Sequence, residues 1–147
     1  MLIARSFYNA EKFKSSDSIL NIVIQKSPDY LPAYAQIART YNRMDPDFKT
    51  GIAKPKFEKY LSVAAKDSLK NTTEMIEAMS YLGYFHMETG NFAKAKDYYN
   101  RMISLDPKNN DSKIRGYNGI AALESRGAGL EKTLEGKLSY LARAAES

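Results

Sequence analysis

The chain has no cysteine and no tryptophan, and a single histidine in its 147 residues. Without cysteine, disulfides, thiolate metal sites and thiol catalysis are excluded. His86 has no second histidine to complete a metal pair, and no cysteine that it could activate as a nucleophile. Five prolines and eight glycines are few for this length and suit long helices. No apolar run approaches the roughly 18 residues that a membrane-spanning helix needs. The opening Met1-Leu2-Ile3-Ala4 is broken by Arg5 too soon to serve as a signal sequence. Glycine-rich phosphate loops are also missing, since Gly127-Ala128-Gly129 lacks the downstream glycine and lysine and the preceding strand. Asp45-Pro46-Asp47 opens like a calcium loop, but Lys49 takes the next ligand place and no closing glutamate follows, so a polar turn is the better reading. Glu74, Glu77, Asp106 and Asp111 are scattered carboxylates, with nothing to mark an acid–base pair. No catalytic residue, metal ligand or cofactor site is expected.

What remains is an ordinary globular composition, 44% hydrophobic and 27% charged, with a net charge of +5. Residues 1–70 hold twelve Lys/Arg against seven Asp/Glu, and residues 71–147 are balanced at ten each. The basic half keeps nucleic acid or an acidic peptide in view as partners, beside the plainer reading of a solvated helical surface.

The stretch 78–107 carries the strongest pattern. Gly83 sits inside a helical run, where glycine costs about 1 kcal/mol against alanine unless another helix must approach closely. Gly90-Asn91 ends one helix and starts the next, glycine accepting the left-handed conformation and asparagine capping. Phe92, Ala95, Tyr99 and Met102 recur on one helical face. Pro107 closes the unit, because a helix rarely continues through proline. Together with Leu82-Gly83, these residues resemble one tetratricopeptide repeat (TPR), a hairpin of two helices that stacks on its copies. Met79 and His86 stand where the family usually has aromatics.

The pattern recurs. Ile3-Ala4, Phe7, Phe13, Ser16, Leu20 and Val23 form a first copy ending at Pro28. Tyr34, Ile37-Ala38 and Tyr41 open a second. Ile3 and Ile37 are 34 residues apart, the family period, whereas Ile37 and Leu82 are 45 apart. The excess falls in a loop over 43–51 and a linker over 65–70. The second helix of this copy carries Ala53, Phe57, Tyr60, Leu61 and Ala64 on one face, with Pro55 in its first turn. Asn71 and Glu74 have the spacing of a capping box, opening a helix over about 72–89. After the turn Lys108-Asn109-Asn110-Asp111, one helix carries Ile114, Tyr117, Ile120 and Ala121 and is weakened by Gly116 and Gly119. Ser125-Arg126-Gly127-Ala128-Gly129 is expected to break it. A last helix bears Leu130, Leu134, Leu138, Leu141 and Ala145.

The resemblance therefore implies an all-α fold, a right-handed α-α superhelix of about three TPR-like hairpins and a C-terminal capping hairpin. The repeats fall at about 1–30, 31–75 and 76–109, and the cap at 110–147. The first helix lacks the residues that should precede Ile3, which favours the C-terminal part of a longer chain. The long second repeat gives the chain the look of bacterial TPR proteins. The compartment is not legible beyond cytoplasm or periplasm for such a protein.

In TPR arrays the first helix of each hairpin lines a concave face. The resemblance thus nominates Arg5, Tyr8 and Asn9 in the first repeat. In the second it nominates Gln36, Arg39, Asn42 and Arg43, and in the third Ser80, Tyr81, Tyr84, Met87 and Glu88. Arginine forks onto carboxylates, and tyrosine offers apolar area with a polar tip, which suits a peptide with acidic residues. The chaperone-tail clamp of this family does not fit, since its places hold Met1, Arg5, Gln36, Glu77 and Tyr81. A non-catalytic scaffold for a protein or peptide is the reading favoured. The alternatives are nucleic-acid binding through the basic half, where Lys49, Lys54, Lys56 and Lys59 cluster, and self-association through an exposed end hairpin or service as an accessory domain.

Overall fold

Among the described residues, seven α-helices follow one another: α1 (Leu2–Asn9), α2 (Phe13–Lys26), α3 (Leu31–Met44), α4 (Lys54–Ala64), α5 (Thr72–Glu88), α6 (Phe92–Ser104) and α7 (Asn110–Ala145). Two short 3-10 turns, Ala65–Asp67 and Leu69–Asn71, join α4 to α5. The structure, a computed structural model, describes residues 1–67, 69–106 and 108–145. Each helix packs on the next in the chain, and α7 also reaches back to α5. This is a superhelix of stacked helical hairpins.

Local chemistry explains the boundaries. Pro32 and Pro55 lie in the first turns of α3 and α4, where a missing N–H leaves no bond unmade. Gly90, at φ +77°, ends α5, and the Asn91 side chain accepts the Lys94 N–H at 3.2 Å to cap α6. Asn71 does precede α5, but the expected capping box does not form. Its side-chain amide instead donates to the Asp67 carbonyl at 2.7 Å, tying α5 to the 3-10 turn behind it. Pro107, expected to close the third hairpin, lies outside the described residues. Asn109 opens α7 by accepting the Ser112 N–H at 3.1 Å.

The main core runs from α3 to α7 and contains Phe57, Tyr60, Leu61, Met79, Leu82, Ala95, Tyr99, Met102 and Leu123. Helix α5 is buried almost all round because α4, α6 and α7 all pack on it. A smaller cluster of Ala4, Leu20, Ala33 and Ile37 joins the first hairpin to the second. There the Ser16 hydroxyl donates to the Ala4 carbonyl at 2.9 Å, so two small residues hold α1 against α2. Ile3, aligned with core Leu82 by the repeat, is 65% exposed.

The C-terminal segment departs from the expected pair of helices. Helix α7 runs unbroken for 36 residues through Ser125-Arg126-Gly127-Ala128-Gly129. Gly127 and Gly129 lower helix propensity but supply no stop, and the Ala, Leu, Glu and Lys around them are strong helix formers. Leu130, Leu134 and Leu138 are exposed and continue the face of α7 that holds Gly116 and Leu123. The side chains of Leu141 and Ala145 lie outside the described residues.

Candidate binding groove

Helices α1, α3 and α5 share one side of the stack, and a groove runs across them. Its first half, about 670 Å³, is lined by Arg5, Tyr8 and Asn9 of α1, by Gln36 and Arg39 of α3, by Tyr60 of α4, and by Asn71 and Glu74 at the start of α5. Its second half, about 640 Å³, is lined by Asn42 and Arg43 of α3, Pro46 and Phe48 of the following loop, Phe57, and Glu77, Ser80 and Tyr81 of α5. Arg39 lines one half and Glu77 the other. The Arg39 Nε–H donates to both carboxylate oxygens of Glu77, at 2.8 and 3.1 Å, and its Nη2 bonds Oε2 as well. This forked pair forms the ridge between the halves. It raises the Arg39 pKa, burial opposing it. Both side chains are more than a third exposed, so the pair stabilises the fold by about 1 kcal/mol or less.

The nominated residues divide into three groups. Arg5, Tyr8, Asn9, Gln36, Arg39, Asn42, Arg43, Ser80 and Tyr81 line the two halves. Tyr84 lies beside the second half, 44% exposed and edge-on to Phe48 at 5.3 Å between ring centroids. Met87 is inside the core, and Glu88 is held by Arg126 of α7, with one N–H···O bond at 3.0 Å. Many of the lining residues are already engaged. Arg39 is tied to Glu77, and Arg43 contacts Glu11 at 3.3 Å and lies over the Tyr8 ring at 5.5 Å. Of the cations that line the groove, Arg5 is the one whose side chain has no polar partner among the described residues.

Two residues of the lining each carry a fully buried polar atom without a partner: the Gln36 amide nitrogen and the Tyr81 hydroxyl. Each residue is 8% exposed. Burial, and then the Asp45 carboxylate, pushes the Tyr81 pKa up to about 12, so the hydroxyl keeps its proton at neutral pH. Both are donors facing no acceptor, an uncommon state for buried groups.

The loop between α3 and α4 is the long one that the repeat spacing put over 43–51, and it brings Phe48 to the groove. Residues 10–12 and 89–91 turn the first and third hairpins, whereas 45–53 turn the second. Asp45 holds this longer loop, its carboxylate accepting the Thr50 N–H at 3.1 Å and the Gly51 N–H at 2.7 Å. Burial works to raise the Asp45 pKa, but these hydrogen bonds and that of the Thr50 side chain bring it below the ordinary carboxylate value. The calcium-like opening of this loop is therefore spent on a turn. No group of side chains that could hold a metal ion occurs among the described residues. The lysine cluster is also partly neutralised: Lys49 meets Asp47, Lys54 meets Glu58, and Lys56 lies over the Tyr41 ring at 4.6 Å. No helix of the described residues is long and apolar enough to cross a membrane.

Residues 76–109 match the family model described as a tetratricopeptide repeat. Among solved structures, the chain resembles the C-terminal part of a TPR repeat-containing protein from Cytophaga hutchinsonii. The TM-score is 0.69 and the identity 31%, over 77% of this chain and 43% of that one. The chain thus spans less than half the length of that structure. The curated proteins give no match.

Proposed function

Residues 76–109 are a tetratricopeptide repeat set in an array of like hairpins, and from that premise we propose that the chain is a non-catalytic scaffold that binds a protein or peptide in the groove across α1, α3 and α5. Such repeats are in general protein-interaction modules. The observation that carries the reading is the pair of buried donors, Gln36 and Tyr81, one in each half of the groove. A buried donor without an acceptor costs about 1–3 kcal/mol. Both atoms are closed off from solvent in the free chain, so backbone carbonyls or carboxylates of a bound peptide become their acceptors only as these two side chains turn toward the groove. The uncommitted Arg5 favours an acidic residue at the α1 end. The Arg39–Glu77 ridge orients the chain across it and leaves little free positive charge at its centre, so the affinity rests on shape and hydrogen bonding more than on charge.

The test is selection of peptides from a random display library, followed by titration of the best binders against Gln36→Leu and Tyr81→Phe. Each substitution keeps the bulk and removes the unpaired donor. The free variants should melt at or above the wild-type temperature, because a cost of folding is removed, while peptide affinity falls about fivefold to tenfold. Undiminished affinity in both variants would remove these donors from the site, and with them the reading.

A further inference from the structure

Phe48 sits at the tip of the long loop, and its backbone is left-handed at φ +57°. Residues without glycine's freedom rarely hold this conformation, and an aromatic one holds it only where its surroundings compensate. The compensation is visible. Asp45 clamps the loop behind it, and the Phe48 ring packs on Tyr81 at 5.4 Å, Tyr84 at 5.3 Å and Phe85 at 6.2 Å between centroids. Chain reversal does not need this loop, since three residues suffice in the first and third hairpins. Phe48 is only partly buried and lines the second half of the groove, next to Tyr81 with its unpartnered hydroxyl.

We propose that Phe48 is the chain's own occupant of an aromatic slot formed by Tyr81, Tyr84 and Phe85, and that an aromatic side chain of the partner takes its place. This rests on the groove reading and adds a specificity to it. Displacement releases the left-handed backbone at Phe48. The Tyr81 ring is one wall of the slot, and its hydroxyl has no partner in the free chain. Because Phe48 competes for the slot, the apparent affinity for an aromatic residue is lowered by the fraction of time that the slot is closed.

N-acetyl-tryptophanamide serves as the probe, since the chain lacks tryptophan and all indole fluorescence belongs to the ligand. Phe48→Gly vacates the slot and suits the left-handed backbone, so the loop should persist; protected amides at Thr50 and Gly51 in hydrogen exchange check this. The probe should bind the variant about tenfold or more tighter than the wild type. It should shift the ring resonances of Tyr81 and Tyr84, and Tyr84→Ala placed on the variant should abolish the gain. Equal probe affinity for wild type and Phe48→Gly, with the loop amides still protected, would overturn the proposal. If library peptides bind the groove while the probe ignores the vacated slot, the slot fails alone. If neither binds, the groove reading fails with it.

Discussion

Tyr99 is wedged between two helices, and a glycine on each side makes the space. A methyl group on Gly83 would lie 2.5 Å from the Tyr99 ring, and one on Gly119 would strike the same ring from α7. Gly83 was legible in the sequence as a close approach. Gly119 read only as a weak point in a helix, because its partner is 20 positions away and its own repeat is atypical. Gly119→Ala should destabilise the fold by about 1–3 kcal/mol through overpacking, more than offsetting the gain in helix propensity. Thermal melting checks this, and an unchanged or raised melting temperature would contradict the wedge. His86 gives a second prediction. It is 4% exposed, stacked on Tyr98 at 5.8 Å, with Nε2 unpartnered. Burial, then Lys54 and Lys94, hold its pKa below the ordinary value near 6.5. Protonation therefore favours the unfolded chain: the stability is complete above about pH 6.5 and is lost as pH falls below it. The melting temperature should drop between pH 7.5 and 5.5, and His86→Phe should remove that drop. Parallel curves for the two proteins would assign it elsewhere.

At the scale of elements, the hairpins were readable because each local signal agreed with the fold: Pro55 at a helix start, Gly90-Asn91 at a turn, and Ala53, Phe57, Tyr60, Leu61 and Ala64 on one buried face. The differences arose where a distant partner decides. Arg39 was nominated for the groove and lines it, but Glu77, 38 positions on, holds its side chain. Met87 was nominated for the groove, and it is buried in the core of the finished stack. Helix α7 looked broken, because glycines near Ser125 read as a turn. Its continuity makes a sharp prediction. Nothing lies within 4 Å of a methyl group placed on Gly127 or Gly129, and neither has positive φ. Gly127→Ala and Gly129→Ala should each stabilise α7 by about 0.5–1 kcal/mol, opposite in sign to Gly119→Ala in the same helix. Helicity by circular dichroism should rise with them. A loss of helicity would restore the hairpin.

At the scale of the whole molecule, repeat stacking produces a surface that no single hairpin has. The groove takes its lining from residues spread between Met1 and Tyr81, and its buried donors belong to two different repeats. The sequence nominated nine of the lining residues through the family pattern. It could not show which side chains the fold had already engaged, nor that the long loop would place Phe48 beside Tyr81. The basic first half contributes less to this surface than its composition suggested, since several of its cations are paired within the chain.

The most direct measurement is to map a library-selected peptide on the isotope-labelled chain by NMR. Perturbations confined to Arg5, Tyr8, Gln36, Asn42, Ser80, Tyr81, their neighbours on α1, α3 and α5, and the 45–53 loop are the predicted result. Perturbations concentrated on α2, α4 and α6, or on the exposed leucines of α7, would contradict the account.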